Sequence, residues 1–183
     1  MRKVIWVITI LFITTITIFS FNYIKVVKPV NSVLKKDLRN DRINIDLHFK
    51  YYIVNNTLIF NLKSVSNQSA SADVFRVLLQ TASALKDENF KELILCYKGI
   101  PKFKLNGEYF NILGKEYDTQ NAVYTMRTFP QNILDINGNM VYNKWTGGLL
   151  RVSSKQIEDF NDFNSKWYLD ELILEFKNQK AIF

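Results

Sequence analysis

The chain has 183 residues, 48% hydrophobic and 14% aromatic, with a formal net charge of +7. That composition excludes a disordered tail, and the length suits one domain with an appendage. The first 42 positions carry eight basic and two acidic residues, and the rest carry 16 and 15. The domain is therefore near neutral and lacks the basic excess of a nucleic-acid-binding surface.

Arg2 and Lys3 precede an uncharged run from Val4 to Ile24, which Lys25 closes. Roughly 20 apolar residues rising about 1.5 Å each span the bilayer hydrocarbon. Residues 1–24 accordingly read as a membrane anchor. A cleaved secretory signal has an apolar stretch of roughly 7–15 residues and a small-x-small site. This run is longer, and Ile18-Phe19-Ser20-Phe21-Asn22 offers one small residue. An uncleaved anchor is the better reading. Apolarity all round and the basic flanks argue against a buried core helix.

Orientation is set by competing charges. Two basic residues precede the run, and Lys25, Lys28, Lys35, Lys36 and Arg39 follow it. Counting favours a cytoplasmic domain, but the first positive residues act earliest and hold the amino terminus inside. The domain is expected outside the cytoplasm. Residues 25–42, polar, basic and holding Pro29, read as a tether with a short helix from Asn31 or Ser32 to Arg39. Its charges suit anionic lipid headgroups.

The domain, residues 43–183, opens on alternation from Ile43 to Ile53, a half-buried strand. Asn55-Asn56 reads as a tight turn, and Thr57 to Lys63 as the return strand with Leu58, Phe60 and Leu62 on one face. A helix follows with Val74, Phe75, Leu78, Ala82 and Leu85 at helical spacing, capped by Ser69 or Ser71 and with Asp73 in its first turn. Phe90 to Tyr97 is a third strand, its apolar centre buried on both faces. Gly99 to Pro101 turns the chain into a fourth strand, Lys102 to Leu105, and Asn106-Gly107 marks another turn.

Residues 108–150 carry little periodicity, and Ala122 to Arg127 fits either a short helix or a strand. A last helix starts at Ser153, with Gln156 completing a capping box, and turns Ile157, Phe160, Phe163 and Trp167 inward. The order predicts an α+β fold: an N-terminal transmembrane helix, then one globular domain with an antiparallel sheet and helices packed on one face.

The supply of catalytic residue types is thin. His48 is the single histidine and Cys96 the single cysteine, so multi-histidine zinc sites, thiolate clusters and intrachain disulfides are excluded. No catalytic residue, metal ligand or cofactor is assigned. Asp46, His48 and Lys50 share the polar face of the first strand, which alternation alone explains. Cys96 reads as a small buried hydrophobe. Glu158, Asp159 and Asp162 could divide acid and base roles, but they also suit the first turn of a helix. Asn55 and Asn67 match the glycosylation acceptor pattern, as chance allows in an asparagine-rich chain.

Trp145-Thr146-Gly147-Gly148 is the most unusual stretch, since paired glycines permit close backbone approach. With Arg127, Phe160 and Trp167 it frames an aromatic groove. Trp and Arg are common interface anchors, so Arg127, Trp145, Gly147, Gly148, Phe160 and Trp167 form the candidate binding site. The leading expectation is a single-pass membrane protein presenting an extracytoplasmic binding domain to a protein or envelope partner. The alternatives are a membrane-tethered hydrolase using carboxylates and a membrane-held inhibitor or toxin-neutralising protein.

Overall fold

The computed structural model describes residues 2–180. Met1 and residues 181–183, the outer ends of the anchor and of the domain as read above, lie outside them. Helix α1 (Arg2–Asn22), a π turn (Tyr23–Val27) and α2 (Lys28–Leu34) form one continuous helix. None of its apolar window is buried in the domain. Thr9, Thr14, Thr15 and Thr17 each donate to the carbonyl four residues back, at 2.8–2.9 Å. Pro29 has no N–H for the Lys25 carbonyl and its ring crowds that position. The helix widens there, and Lys28 N–H bonds to the Tyr23 carbonyl.

Residues 25–34 differ from the expected tether. They continue the helix and pack on the domain, with Asn22, Val26 and Val30 buried and Leu34 partly so. Four residues overshoot a 3.6-residue turn by about 40°. The wider π turn absorbs part of that drift and keeps this every-fourth stripe on one side. The Asn22 Oδ1 accepts the Phe49 N–H at 2.8 Å, and Lys25 pairs with Glu88 at 3.2 Å. A 3₁₀ turn (Leu38–Arg42) follows. There Asp37 accepts two bonds from the Arg39 side chain, at 2.7 and 2.8 Å, and one from Gln80 at 3.2 Å. The Arg39 guanidinium holds the Asp37 carboxyl well below the usual range.

The sheet has five strands in sequential order: β1 (Ile43–Lys50), β2 (Val54–Val65), β3 (Glu92–Tyr97), β4 (Ile100–Asn106) and β5 (Ile133–Leu134). The fold is α+β, but the sheet is mixed. β2 and β3 run parallel because α3 (Ser71–Ala84) carries the chain back to the starting end between them. The other pairs are antiparallel. The first turn also falls earlier than Asn55-Asn56. Lys50 pairs with Val54, so Tyr51, Tyr52 and Ile53 form the turn and the asparagines lie within β2. Tyr51 and Tyr52 take positive φ, 54° and 63°.

In α3, Val74, Phe75, Leu78 and Ala82 are buried as expected, and Leu85 follows the helix. Its N-cap is Ala70 rather than a serine, with Asp73 accepting the Ala70 N–H at 2.9 Å. Asn106-Gly107 opens a helix that sequence periodicity did not mark, α4 (Gly107–Glu116), and Asn106 caps it by accepting the Glu108 N–H at 2.8 Å. Residues Ala122–Thr128 are helical (α5). The helix expected from Ser153, α6 (Leu149–Asn164), begins four residues earlier, because nothing after Gly148 interrupts it. The expected capping box is therefore absent. Gln156 is buried in place of Ile157, while Phe160 and Phe163 point inward. A π turn (Ser165–Leu169) turns both Trp167 and Tyr168 inward and leads into α7 (Asp170–Lys180).

Candidate functional site

Alternation along the strands assigns each face of the sheet. Leu47, Phe49, Leu58, Phe60, Leu62, Leu93, Leu95, Phe103 and Leu105 are all buried in the core. The opposite face carries the even-numbered residues of β1 and their partners by register. His48 stands opposite Ile59, Ile59 opposite Ile94, and Ile94 opposite Lys104. A second row runs Asp46, Asn61, Cys96. A hollow of about 340 Å³ opens on this face, lined by strand and turn residues with none from a helix. Its floor is Ile59, Ile94 and Cys96, and Ile136, Lys50 and Lys104 are among its other walls.

The polar groups here are locally tied. His48 Nδ1 lies 2.9 Å from the Phe49 carbonyl, so Nδ1 carries the proton that this bond needs. The ring stacks on Tyr52 at 4.6 Å, and Nε2 lies 3.8 Å from Asp46. Asn61 Oδ1 accepts the Gly99 N–H at 2.8 Å and shapes the β3–β4 turn. Lys104 faces Glu92 at 3.5 Å. Burial pushes the Cys96 thiol up to about 11, so it is neutral at physiological pH and behaves as an apolar floor residue. Two strand spacings, about 9–10 Å, and an offset of two residues separate the His48 position from Cys96. That exceeds hydrogen-bond reach, so the arrangement does not assemble a Cys-His-Asp relay. An apolar floor with cationic and amide groups at its edge is suited to binding.

The six residues of the expected aromatic groove separate into two environments. Phe160 and Trp167 are buried in the core, 5% and 1% exposed. Phe160 packs on Phe75 at 5.3 Å, and Trp167 on Phe60 at 5.9 Å. They cannot line an open groove. Arg127 donates from Nε and Nη2 to Gln156 Oε1, at 3.1 and 3.0 Å, tying α5 to α6. Trp145 donates from Nε1 to Asp159 at 2.7 Å. Gly147 has φ +128°, and Gly148 is the N-cap of α6.

Glu158 and Asp159 lie in the second half of α6 and Asp162 in its last turn, not in its first turn. Each has its own partner. Glu158 pairs with Lys155 at 2.6 Å, Asp159 holds Trp145, and Asp162 accepts the Tyr142 hydroxyl at 2.9 Å and Lys166 at 2.6 Å. Lys155 and Lys166 also sit over the Trp145 and Tyr142 rings, 6.0 and 5.9 Å from their centres. Asp159 and Asp162 fasten the loop before α6 onto the helix, while Glu158 is paired within the helix.

The hollow left a partial trace in the sequence. His48 and Cys96 stand apart in the sequence as its single histidine and single cysteine, and joining them needs the β2–β3 pairing, which is parallel and non-local. No group of three or more metal-ligating side chains occurs among the described residues. No family model, curated protein or solved structure matches this chain.

Proposed function

We propose that this chain is a single-pass membrane protein whose α+β domain stands outside the cytoplasm and binds a protein or envelope component through the bare face of its sheet. The observation that carries the binding surface is the helix-free hollow over Ile59, Ile94 and Cys96. The anchor has separate support. Val4 to Ile13 expose large apolar side chains without a protein neighbour to cover them, which bilayer hydrocarbon would do. Asn22, Val26 and Val30 belong to the domain's packing, which favours a helix that is retained. Lys28, Lys35 and Lys36 are exposed and have no ion-pair partner among the described residues, leaving them for anionic headgroups. A carboxylate hydrolase has less support, because Glu158, Asp159 and Asp162 each already hold a local partner.

Sidedness is tested by fusing a phosphatase that works only outside the cytoplasm after Phe183. The fusion is expected to be active, and activity of a cytoplasm-restricted reporter in its place overturns the orientation. Binding is tested in cells with a photoreactive residue at Ile59, and one at Ile157 on the outside of α6 as control. A discrete adduct is expected at position 59 alone. Ile136→Arg, at the exposed edge of the hollow, is expected to reduce its yield about fivefold, the effect of losing roughly 1 kcal/mol at an interface. Equal adducts at both positions, or none, would sink the assignment of this face.

A further inference from the structure

The β1–β2 turn does not begin where the apolar run ends. It runs back along it. The Phe49 ring lies 5.7 Å from Phe21, and the Tyr52 ring lies 4.8 Å from Phe19. Beyond these, Thr17 and Ile18 share a cleft of about 250 Å³ with Tyr52, Ile53 and Asn55. At about 1.5 Å per residue, Phe19 lies about 7–8 Å and Thr17 about 10 Å on the membrane side of Ile24.

This overlap constrains where a bilayer surface can fall. The hydrocarbon is about 30 Å thick and needs roughly 20 helical residues. If the membrane stopped short of the turn, only residues 4–16 would remain to cross it. They supply about 20 Å, about 10 Å too little. A full span from Val4 to Ile24 takes the turn past the membrane surface, to a depth of about 7–10 Å from the Ile24 end.

The turn is built for that position. Tyr51 and Ile53 are 74% and 66% exposed, next to Lys50. Tyrosine concentrates at membrane–water interfaces, and lysine extends its amine toward the headgroups. A water-exposed turn with two positive-φ positions ordinarily carries Asn or Gly, whereas here both are tyrosines. The Tyr52 and Ile53 N–H groups are satisfied within the turn, by the Phe49 and Lys50 carbonyls at 2.7 and 3.3 Å. Leaving water therefore strands neither donor.

We propose that the Tyr51-Tyr52-Ile53 turn enters the interfacial layer of the bilayer crossed by the helix. It makes a second membrane contact that fixes how the domain stands on the surface. This rests on the membrane-span reading above, and the test separates the two. Single cysteines replace Ile10, Tyr51, Ile53 or Asn67 in the full chain, reconstituted in vesicles of equal phosphatidylcholine and phosphatidylglycerol. Each carries a nitroxide label, and Cys96, buried and protonated, stays unlabelled. Asn67 follows the far end of β2 and reports the aqueous side.

The ratio of oxygen accessibility to polar-reagent accessibility is expected to be highest at position 10. At 51 and 53 it is expected to be several-fold above position 67. A high ratio at 10 with 51 and 53 matching 67 overturns the turn contact and leaves the span intact. A low ratio at 10 overturns the span and the turn contact with it.

Discussion

Trp167→Ala is expected to lower the folding free energy by about 3–5 kcal/mol, as truncation of a fully buried tryptophan does. The indole is 1% exposed and packs against Phe60, Phe163 and Tyr168 at ring distances of 5.9, 5.3 and 5.6 Å. It also repairs the sheet. Pro101 stands opposite Cys96 across a bulge and has no N–H to offer. The indole Nε1–H donates to the Cys96 carbonyl at 3.2 Å. Trp167→Phe keeps most of the ring contact and loses this bond, so it is expected to cost about 1–3 kcal/mol. Urea titration of the full chain in detergent micelles, followed by far-UV circular dichroism, measures both. An interface anchor would behave differently: its removal would weaken partner binding and leave the urea midpoint in place. A midpoint unmoved by Trp167→Ala would return this residue to the surface.

The features legible in the sequence are those written in local periodicity. The long apolar N-terminal helix, the alternation of β1 and β2, the apolar centre of β3 and the inward face of α3 all follow from residues a few positions apart. Three features depend on contacts the local pattern does not encode. The parallel β2–β3 pairing is set by where α3 delivers the chain. The turn at Tyr51–Ile53 is set by the register with β2 and by contact with the helix, which overrode the turn preference of Asn55-Asn56. The docking of residues 25–34 was masked by lysines, although Asn22, Val26, Val30 and Leu34 recur at every fourth position. Phe160 and Trp167 part from the other residues of the expected aromatic groove for a related reason. Trp167 and Phe160 have the side chains of interface anchors, and core and interface select the same chemistry, so only burial distinguishes them. The hollow required strands from distant parts of the chain to be set side by side before Ile59, Ile94 and Lys104 became neighbours.

The glycines give the second large expected effect. Gly147 and Gly148 are adjacent, yet a Cβ at either meets nothing within 4 Å. The close approaches are elsewhere. A Cβ on Gly107 would lie 1.8 Å from the Phe90 carbonyl oxygen, and one on Gly114 2.2 Å from that of Ala82. Both obstacles are backbone. The segment facing Gly107 is pinned on two sides, since Lys91 donates to the Asn56 carbonyl at 2.7 Å and accepts from the Gly107 N–H at 2.9 Å. It cannot retreat without breaking the link between the start of α4 and the sheet. Gly107→Ala is therefore expected to cost about 3 kcal/mol or more, at the upper end of overpacking effects. Gly148→Ala, at an open N-cap with negative φ, is expected to cost less than about 1 kcal/mol. Comparing their urea midpoints in the full chain checks the account, because both variants add the same methyl group. Equal losses would mean that backbone freedom, not the approach of α4 to the Phe90 carbonyl, decides what these glycines do.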